Sequence, residues 1–252
     1  MSVTREYALE MVGGHLIIEA EGQALLLDTG SPVSVGRETT SRFQGREFPV
    51  LPRYNGMTTE SLSETIGARI DALLGADVLS WFTVDIDPET SRVAFGRDST
   101  MPRAQVVPMK RVGGIPVLKI EVAGKAFPAL LHTGATVSCL RGADTRPFPF
   151  VGIARDCYPG LGEFATELRR VPLMIGGLAI RLVCGVLPPV LEQALIRVGV
   201  CGLVGTDLLR SFRVGWSPGF TELHLLARRV SAGVERFVVP SLTLVGKALA
   251  RP

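Results

Sequence analysis

The sequence is poor in the residues that carry most recognisable chemistry. Among 252 residues there are four cysteines and three histidines, and aromatics make up only 6 %. Cys139, Cys157, Cys184 and Cys201 are widely spaced and form no C-x-x-C pair, which argues against a zinc knuckle or a thioredoxin-like motif. The three histidines (His15, His132 and His224) are too scattered for a motif-level metal site, so neither a metal nor a cofactor is expected. No apolar run approaches the ~18 residues needed to span a bilayer, and no membrane association is expected. The first residues read straight into alternating sequence rather than into a secretory leader. Reduced thiols, a cytoplasmic location and a monomer are therefore the expectation. Charge of one sign is also lacking. Twenty-seven basic residues against 24 acidic ones leave a net charge of +3, which gives no grip on nucleic acid.

What is abundant is turn-forming residue. Twenty-eight glycines and 17 prolines punctuate a chain that is 46 % apolar, the pattern of a β-rich globular protein. Residues 6–12, 15–21 and 23–28 read as a meander of strands broken by glycine pairs. Residues 82–87 and 92–96 flank a hairpin turn at Pro88-Glu89-Thr90-Ser91. Thr59 to Ile66 reads as a short helix. Residues 148–155 and 164–171 pair as a long hairpin, and Leu178 to Leu187 reads as a strand.

The chain also repeats itself. Val12-Gly13-Gly14 leads through an apolar strand and Gly22 to Leu27-Asp28-Thr29-Gly30-Ser31. Val112-Gly113-Gly114 leads in the same way through Gly124 to Leu131-His132-Thr133-Gly134-Ala135. The offset grows from 100 to 102 to 104, small insertions that loops absorb readily. A second anchor closes each half. Leu73-Leu74-Gly75-Ala76-Asp77-Val78-Leu79 returns as Leu203-Val204-Gly205-Thr206-Asp207-Leu208-Leu209. Residues 1–98 and 103–228 are thus two tandem copies. Arg97 to Arg103 is the expected linker, and 229–252 is an extension without counterpart. Asp77 and Asp207 each precede a short apolar run and are expected to cap a helical turn. Cys139 and Cys201 are expected to behave as small core residues. Arg169-Arg170 and Arg228-Arg229 read as solvated charge, and His15 and His224 carry no signal.

An apolar strand entering Asp-Thr-Gly-Ser, followed by Leu-Leu-Gly-x-Asp-x-Leu, resembles the retropepsin-like aspartic proteases. Two such copies in one chain resemble a fused, pepsin-like version, and the likeness spans about residues 5–228. It implies an all-β fold of two tandem β-barrel lobes related by pseudo-two-fold symmetry, with short helices. It implies that Asp28 and its counterpart meet at the lobe interface. It implies that Thr29 and Thr133 bond across that interface, that Gly30 and Gly134 allow close backbone approach, and that Ser31 belongs to the same loop. In such enzymes two carboxylates share one proton; the ionised one activates water and the protonated one polarises the peptide carbonyl.

The second copy departs from this pattern, because His132 stands where the second aspartate belongs. An imidazole beside a carboxylate makes an ion pair rather than a shared-proton dyad. The carboxylate pKa should fall and the imidazole pKa rise, with activity nearer neutral than acidic pH. Two functions follow as alternatives. One is an atypical peptidase using Asp28 and His132. The other is an inactive homologue that binds an extended peptide or partner protein in its cleft by strand-edge pairing. A purely structural protein is disfavoured, since an inert scaffold has no need of an acid at this interface. The spacing from Gly30 to Gly75 is 45 positions and from Gly134 to Gly205 is 71, so a long hairpin over the cleft fits only in the second copy.

Overall fold

Glycine-broken runs of β-branched and leucine residues set the first three strands of each half, and the same pattern recurs at the same registers. The computed structural model describes residues 4–96, 101–158 and 162–228. The first half holds β1 (Arg5–Val12), β2 (His15–Ala20), β3 (Gln23–Leu27), β4 (Val35–Gly36), β5 (Thr40–Phe43), β6 (Arg46–Pro49), α1 (Thr59–Ile66), β7 (Ala72–Leu74), α2 (Ala76–Leu79), β8 (Thr83–Asp87) and β9 (Arg92–Gly96). The second half holds β10 (Gln105–Val112), β11 (Ile115–Val122), β12 (Lys125–Leu131), β13 (Cys139–Leu140), α3 (Gly142–Thr145), β14 (Phe150–Tyr158), β15 (Gly162–Ile175), β16 (Leu178–Val186), α4 (Pro189–Arg197) and β17 (Gly202–Val204). A 3-10 turn (Thr206–Arg210) then leads to β18 (Phe212–Trp216) and β19 (Glu222–Ala227).

The fold is all-β, and strand pairing shows its internal symmetry. β3 runs parallel to β7 with Leu26 opposite Leu73, and β12 runs parallel to β17 with Leu130 opposite Leu203. β4 and β13 lie antiparallel to β7 and β17. A six-stranded antiparallel sheet in the order β1-β9-β8-β18-β19-β10 joins the halves. Its central seam pairs Gly215 with Asp85, and a Cβ on Gly215 would come within 2.5 Å of the Val84 carbonyl. Only glycine allows so close a seam.

One apolar core runs through both halves and includes Leu25, Leu27, Phe95, Leu131 and Trp216. Two smaller clusters mirror each other. Ile17, Leu26, Val35 and Leu73 lie with Leu62 and Ile66 of α1, while Val117, Leu130, Cys139 and Leu203 lie with Leu191 and Leu195 of α4. Cys139 is thus a core residue, and Cys201 packs partly buried against the main core. α1 begins where a helix should. Thr58 and Ser61 cap each other's backbone reciprocally, and Gly67 ends it in the left-handed region.

The hairpins follow the sequence spacing, short in the first half and long in the second, while two other sequence expectations need correction. A short hairpin does form in the first half, β5 with β6, but Phe43 and Phe48 are buried and fold it onto the core. The long second-half hairpin exists as β14 and β15. Arg169 and Arg228 are not freely solvated charges: each donates to a main-chain carbonyl, Phe148 and Leu209 respectively. Asp77 and Asp207 are not helix caps; the capping positions are Gly75 and Gly205. Residues 97–100 of the expected linker, residue Arg229 and the 229–252 extension lie outside the described residues. No helix among the described residues is long and apolar enough to cross a membrane.

Candidate active site

Each half ends its third strand in a tight loop, and the two loops meet. The Asp28 amide donates to Leu74 O at 3.0 Å and the His132 amide to Val204 O at 2.9 Å, so each loop hangs from the neighbouring parallel strand. Ser31 O accepts from the Ala76 amide at 2.7 Å, and Ala135 O accepts from the Thr206 amide at 2.8 Å. Gly75 and Gly205 lie under these loops. A Cβ on either would come within 2.6 Å of loop backbone, which explains the glycine in both closing motifs.

The loops are tied together reciprocally. The Thr29 amide donates to Thr133 Oγ1 at 2.9 Å, and the Thr133 amide donates to Thr29 Oγ1 at 3.0 Å. Each hydroxyl then donates across the interface, Thr29 to Leu131 O at 2.6 Å and Thr133 to Leu27 O at 2.8 Å. All four bonds are buried. Both amides and both hydroxyls of the pair are satisfied, so the crossing is rigid as well as close.

This grip sets Asp28 against His132. Asp28 Oδ1 lies 3.0 Å from His132 Nδ1, with the two side chains 9 % and 13 % exposed. The Gly30 amide donates to Asp28 Oδ1 at 2.8 Å. Gly30 and Gly134 are sterically required: a Cβ on Gly30 would collide with the imidazole, and one on Gly134 with the Asp28 carboxyl. Ser31 turns its hydroxyl to Val33 O at 2.6 Å and keeps the loop in shape.

Burial pushes the Asp28 carboxyl upward. The His132 charge and ring N–H, with the Gly30 and Ser31 amides, outweigh burial and hold the carboxyl below its ordinary range. Asp28 is therefore a carboxylate at neutral pH, directly beside the His132 imidazole.

A supporting pair went unnoticed in the sequence. Ser34 donates its amide and hydroxyl to Asp77 at 2.9 and 2.8 Å, and its hydroxyl accepts from the Gly75 amide. Ser138 donates its hydroxyl to Asp207 at 2.7 Å and accepts from the Gly205 amide. The serine stands six residues after Asp28 and six after His132, so the repeat itself carried the signal. The two aspartates lock the closing motif to the site loop.

A cavity of about 870 Å³ lies elsewhere, between α3, α4 and the hairpin, with Arg146, Thr166 and Glu192 among its lining residues. Neither Asp28 nor His132 touches it, and the convergent chemistry lies at the loop crossing.

No protein-family model matches the chain, and no curated protein matches it in sequence. Among solved structures, the fold is similar to the crystal structure of aspartic proteinase from Irpex lacteus, at a TM-score of 0.54 and 11 % identity. The match covers 90 % of this chain and 98 % of that one. The architecture is therefore aspartic-proteinase-like, of the pepsin type, and it extends over nearly the whole of both chains.

Proposed function

We propose that this chain is an aspartic-protease-like hydrolase of extended peptides, with Asp28 as base and His132 as acid. The observation that carries the reading is the 3.0 Å approach of Asp28 Oδ1 to His132 Nδ1, fixed by the reciprocal threonine bonds. The pair supplies the two functions that two carboxylates divide between them. The Asp28 carboxylate takes a proton from water as its oxygen adds to the peptide carbonyl carbon. The His132 imidazolium hydrogen-bonds the carbonyl oxygen as it gains negative charge. Proton transfer to the amide nitrogen then lets the C–N bond break, leaving a carboxylate and an amine.

A second reading, peptide binding without cleavage, is favoured by one observation. A carboxyl held below its ordinary range is a weaker base than an ordinary carboxylate. A diverse peptide mixture, incubated from acid to mildly alkaline pH and read by mass spectrometry, separates the two. Cleavage that is strongest near neutrality and absent in Asp28→Asn supports the hydrolase. Saturable peptide binding with no cleavage at any pH establishes the binding protein instead.

A further inference from the structure

The β5–β6 hairpin folds onto the core, with Phe43 and Phe48 buried. Its longer counterpart leaves space. Where β15 passes α3 and α4, a cavity of about 870 Å³ lies between them, within the size range of small-molecule sites. Its walls are fixed. Thr166 Oγ1 donates to Val186 O at 2.7 Å and accepts from the Val186 amide at 2.8 Å. This ties β15 to β16 beyond their last ladder pair, Leu168 opposite Gly185. The Leu187 amide donates to Leu140 O at 2.9 Å, and Thr145 Oγ1 donates to Arg141 O at 3.0 Å within α3. Pro147, Pro188 and Pro189 add stiff apolar surface beside Val186 and Leu187. The cavity is preformed, so a ligand meets little ordering cost there.

Two opposite charges meet at Gly142 on the cavity wall. The Gly142 amide donates to Glu192 Oε2 at 3.2 Å, which brings that carboxylate from α4 to the start of α3. At the Cα of the same residue, a Cβ would come within 3.2 Å of Arg146 Cζ and 3.3 Å of its Nη1. The bare glycine therefore lets the guanidinium lie against the backbone. Both Arg146 and Glu192 line the cavity. They do not pair with each other, and neither has another ion-pair partner among the described residues. The neighbouring charges are already committed, Arg141 to Asp144 at 2.6 Å and Arg169 to Glu167. One cation and one anion thus stand beside a single glycine, each with hydrogen-bonding capacity to spare.

We infer that this cavity binds a small apolar zwitterion, an α-amino acid or a dipeptide, apart from the Asp28–His132 site. The ligand's carboxylate lies on the Arg146 guanidinium, whose planar fork matches two oxygens. Its ammonium lies on Glu192, and its apolar side chain lies against the proline wall. A ligand with only one charge satisfies only one of the two groups, which is how the site selects. The inference holds whether or not the protein cleaves peptides.

The test uses the full chain, labelled with nitrogen-15, and two probes, leucine and dileucine. Each probe is also tried with its amine acetylated and with its carboxylate amidated. Amide shifts of Gly142 and Gln193 report binding at the cavity, and those of Gly30 and Gly134 report the Asp28–His132 site. At least one free probe should move the first pair and not the second, and the tighter of the two tells amino acid from dipeptide. Blocking either end of that probe should weaken binding about five-fold, the worth of one exposed ion pair. Arg146→Met should bring the free probe down to the level of its amide. Glu192→Gln, which still accepts from Gly142, should bring it down to the level of its acetyl form. Blocked probes that bind as well as the free one, or a preference for the free probe that survives in both variants, overturn the zwitterion assignment. No shift of Gly142 or Gln193 with either free probe overturns the site itself. The blocked probes are read on the unaltered protein, so the proposal can fail without either variant.

Discussion

At the scale of single residues, the site loops depend on groups that look interchangeable in sequence and are not. Asp77 and Asp207 occupy matching positions, yet their surroundings differ. Asp77 is half-buried and accepts from the Ser34 amide, the Ser34 hydroxyl and the Val78 amide. Asp207 is buried, and its Oδ2 has no hydrogen-bond partner among the described residues. Burial raises the Asp207 carboxyl to about 6, with the Ser138 hydroxyl and the Arg210 charge offsetting only part of it. The folded state therefore holds this proton more tightly than the unfolded chain, where a carboxyl titrates near 3.9. The stability this proton lends is complete below pH ~4. It is lost as the pH rises towards 6, because ionisation then costs the folded state alone. A shift of about two pH units corresponds to roughly 2–3 kcal/mol. In Asp207→Asn, which stays neutral and can still accept from Ser138, that loss should disappear. Urea unfolding at intervals from pH 3.5 to 7.5 checks it. The stability of the variant relative to the parent should climb through the window from 4 to 6, and a difference that stays flat would sink the account.

At the scale of elements, the seam between β8 and β18 is where the two halves become one sheet. Arg213 on β18 reaches across it. Its guanidinium donates to Asp85 Oδ1 at 2.7 Å and Oδ2 at 2.5 Å, and lies 3.2 Å from Asp87. Asp85 is only 5 % exposed, so it depends on this fork for its charge. Arg213→Ala leaves a buried carboxylate without its cation. The expected cost is about 2 kcal/mol, below the 3–5 of a fully buried pair because the Arg213 side chain is 37 % exposed. Arg213→Lys keeps the charge without the fork and should recover part of the loss. Denaturant unfolding at pH 7 measures both, and equal stabilities for Ala and Lys would rule out the charge as the reason. No such seam is legible in the sequence, because pairing between strands 128 positions apart is fixed by geometry and not by local pattern. The meander strands and the hairpins were legible, because apolar periodicity and glycine placement are local. So was α1, whose capping residues sit at its start. α4 escaped notice because Pro188-Pro189 reads as a breaker, although a proline suits the first turn of a helix. At the site, the repeat matched His132 to Asp28 and Thr133 to Thr29, and the family resemblance implied that the matched residues meet across the interface. It was not enough to assign Asp77 and Asp207, since caps and loop locks share one local sequence.

At the scale of the whole molecule, a pseudo-two-fold axis passes through the loop crossing, and one residue at that axis breaks the symmetry chemically. With aspartate on both sides, the axis would force two carboxylates to share a proton, since like charges at this separation cannot both ionise. With His132 the pair is neutral overall when Asp28 is ionised and the imidazole protonated, and Asp28 no longer needs a neighbour's proton. His132→Asp restores the symmetric chemistry in a frame that otherwise suits it. The threonine grip and the glycines beside it are unchanged, and the smaller side chain meets no new obstruction. The Asp28 carboxyl loses the cation that holds it low and gains a like charge. Its titration, followed by carbon-13 NMR, should therefore move upward and split into the two steps of a coupled pair. Any cleavage of peptides should shift its optimum to lower pH by at least about one unit, because the working state now needs one carboxyl protonated. The NMR readout does not depend on turnover, so it is informative even if the parent only binds. An Asp28 titration that stays where it is would mean that His132 does not govern that carboxyl, and the acid–base pairing at the axis would fall with it.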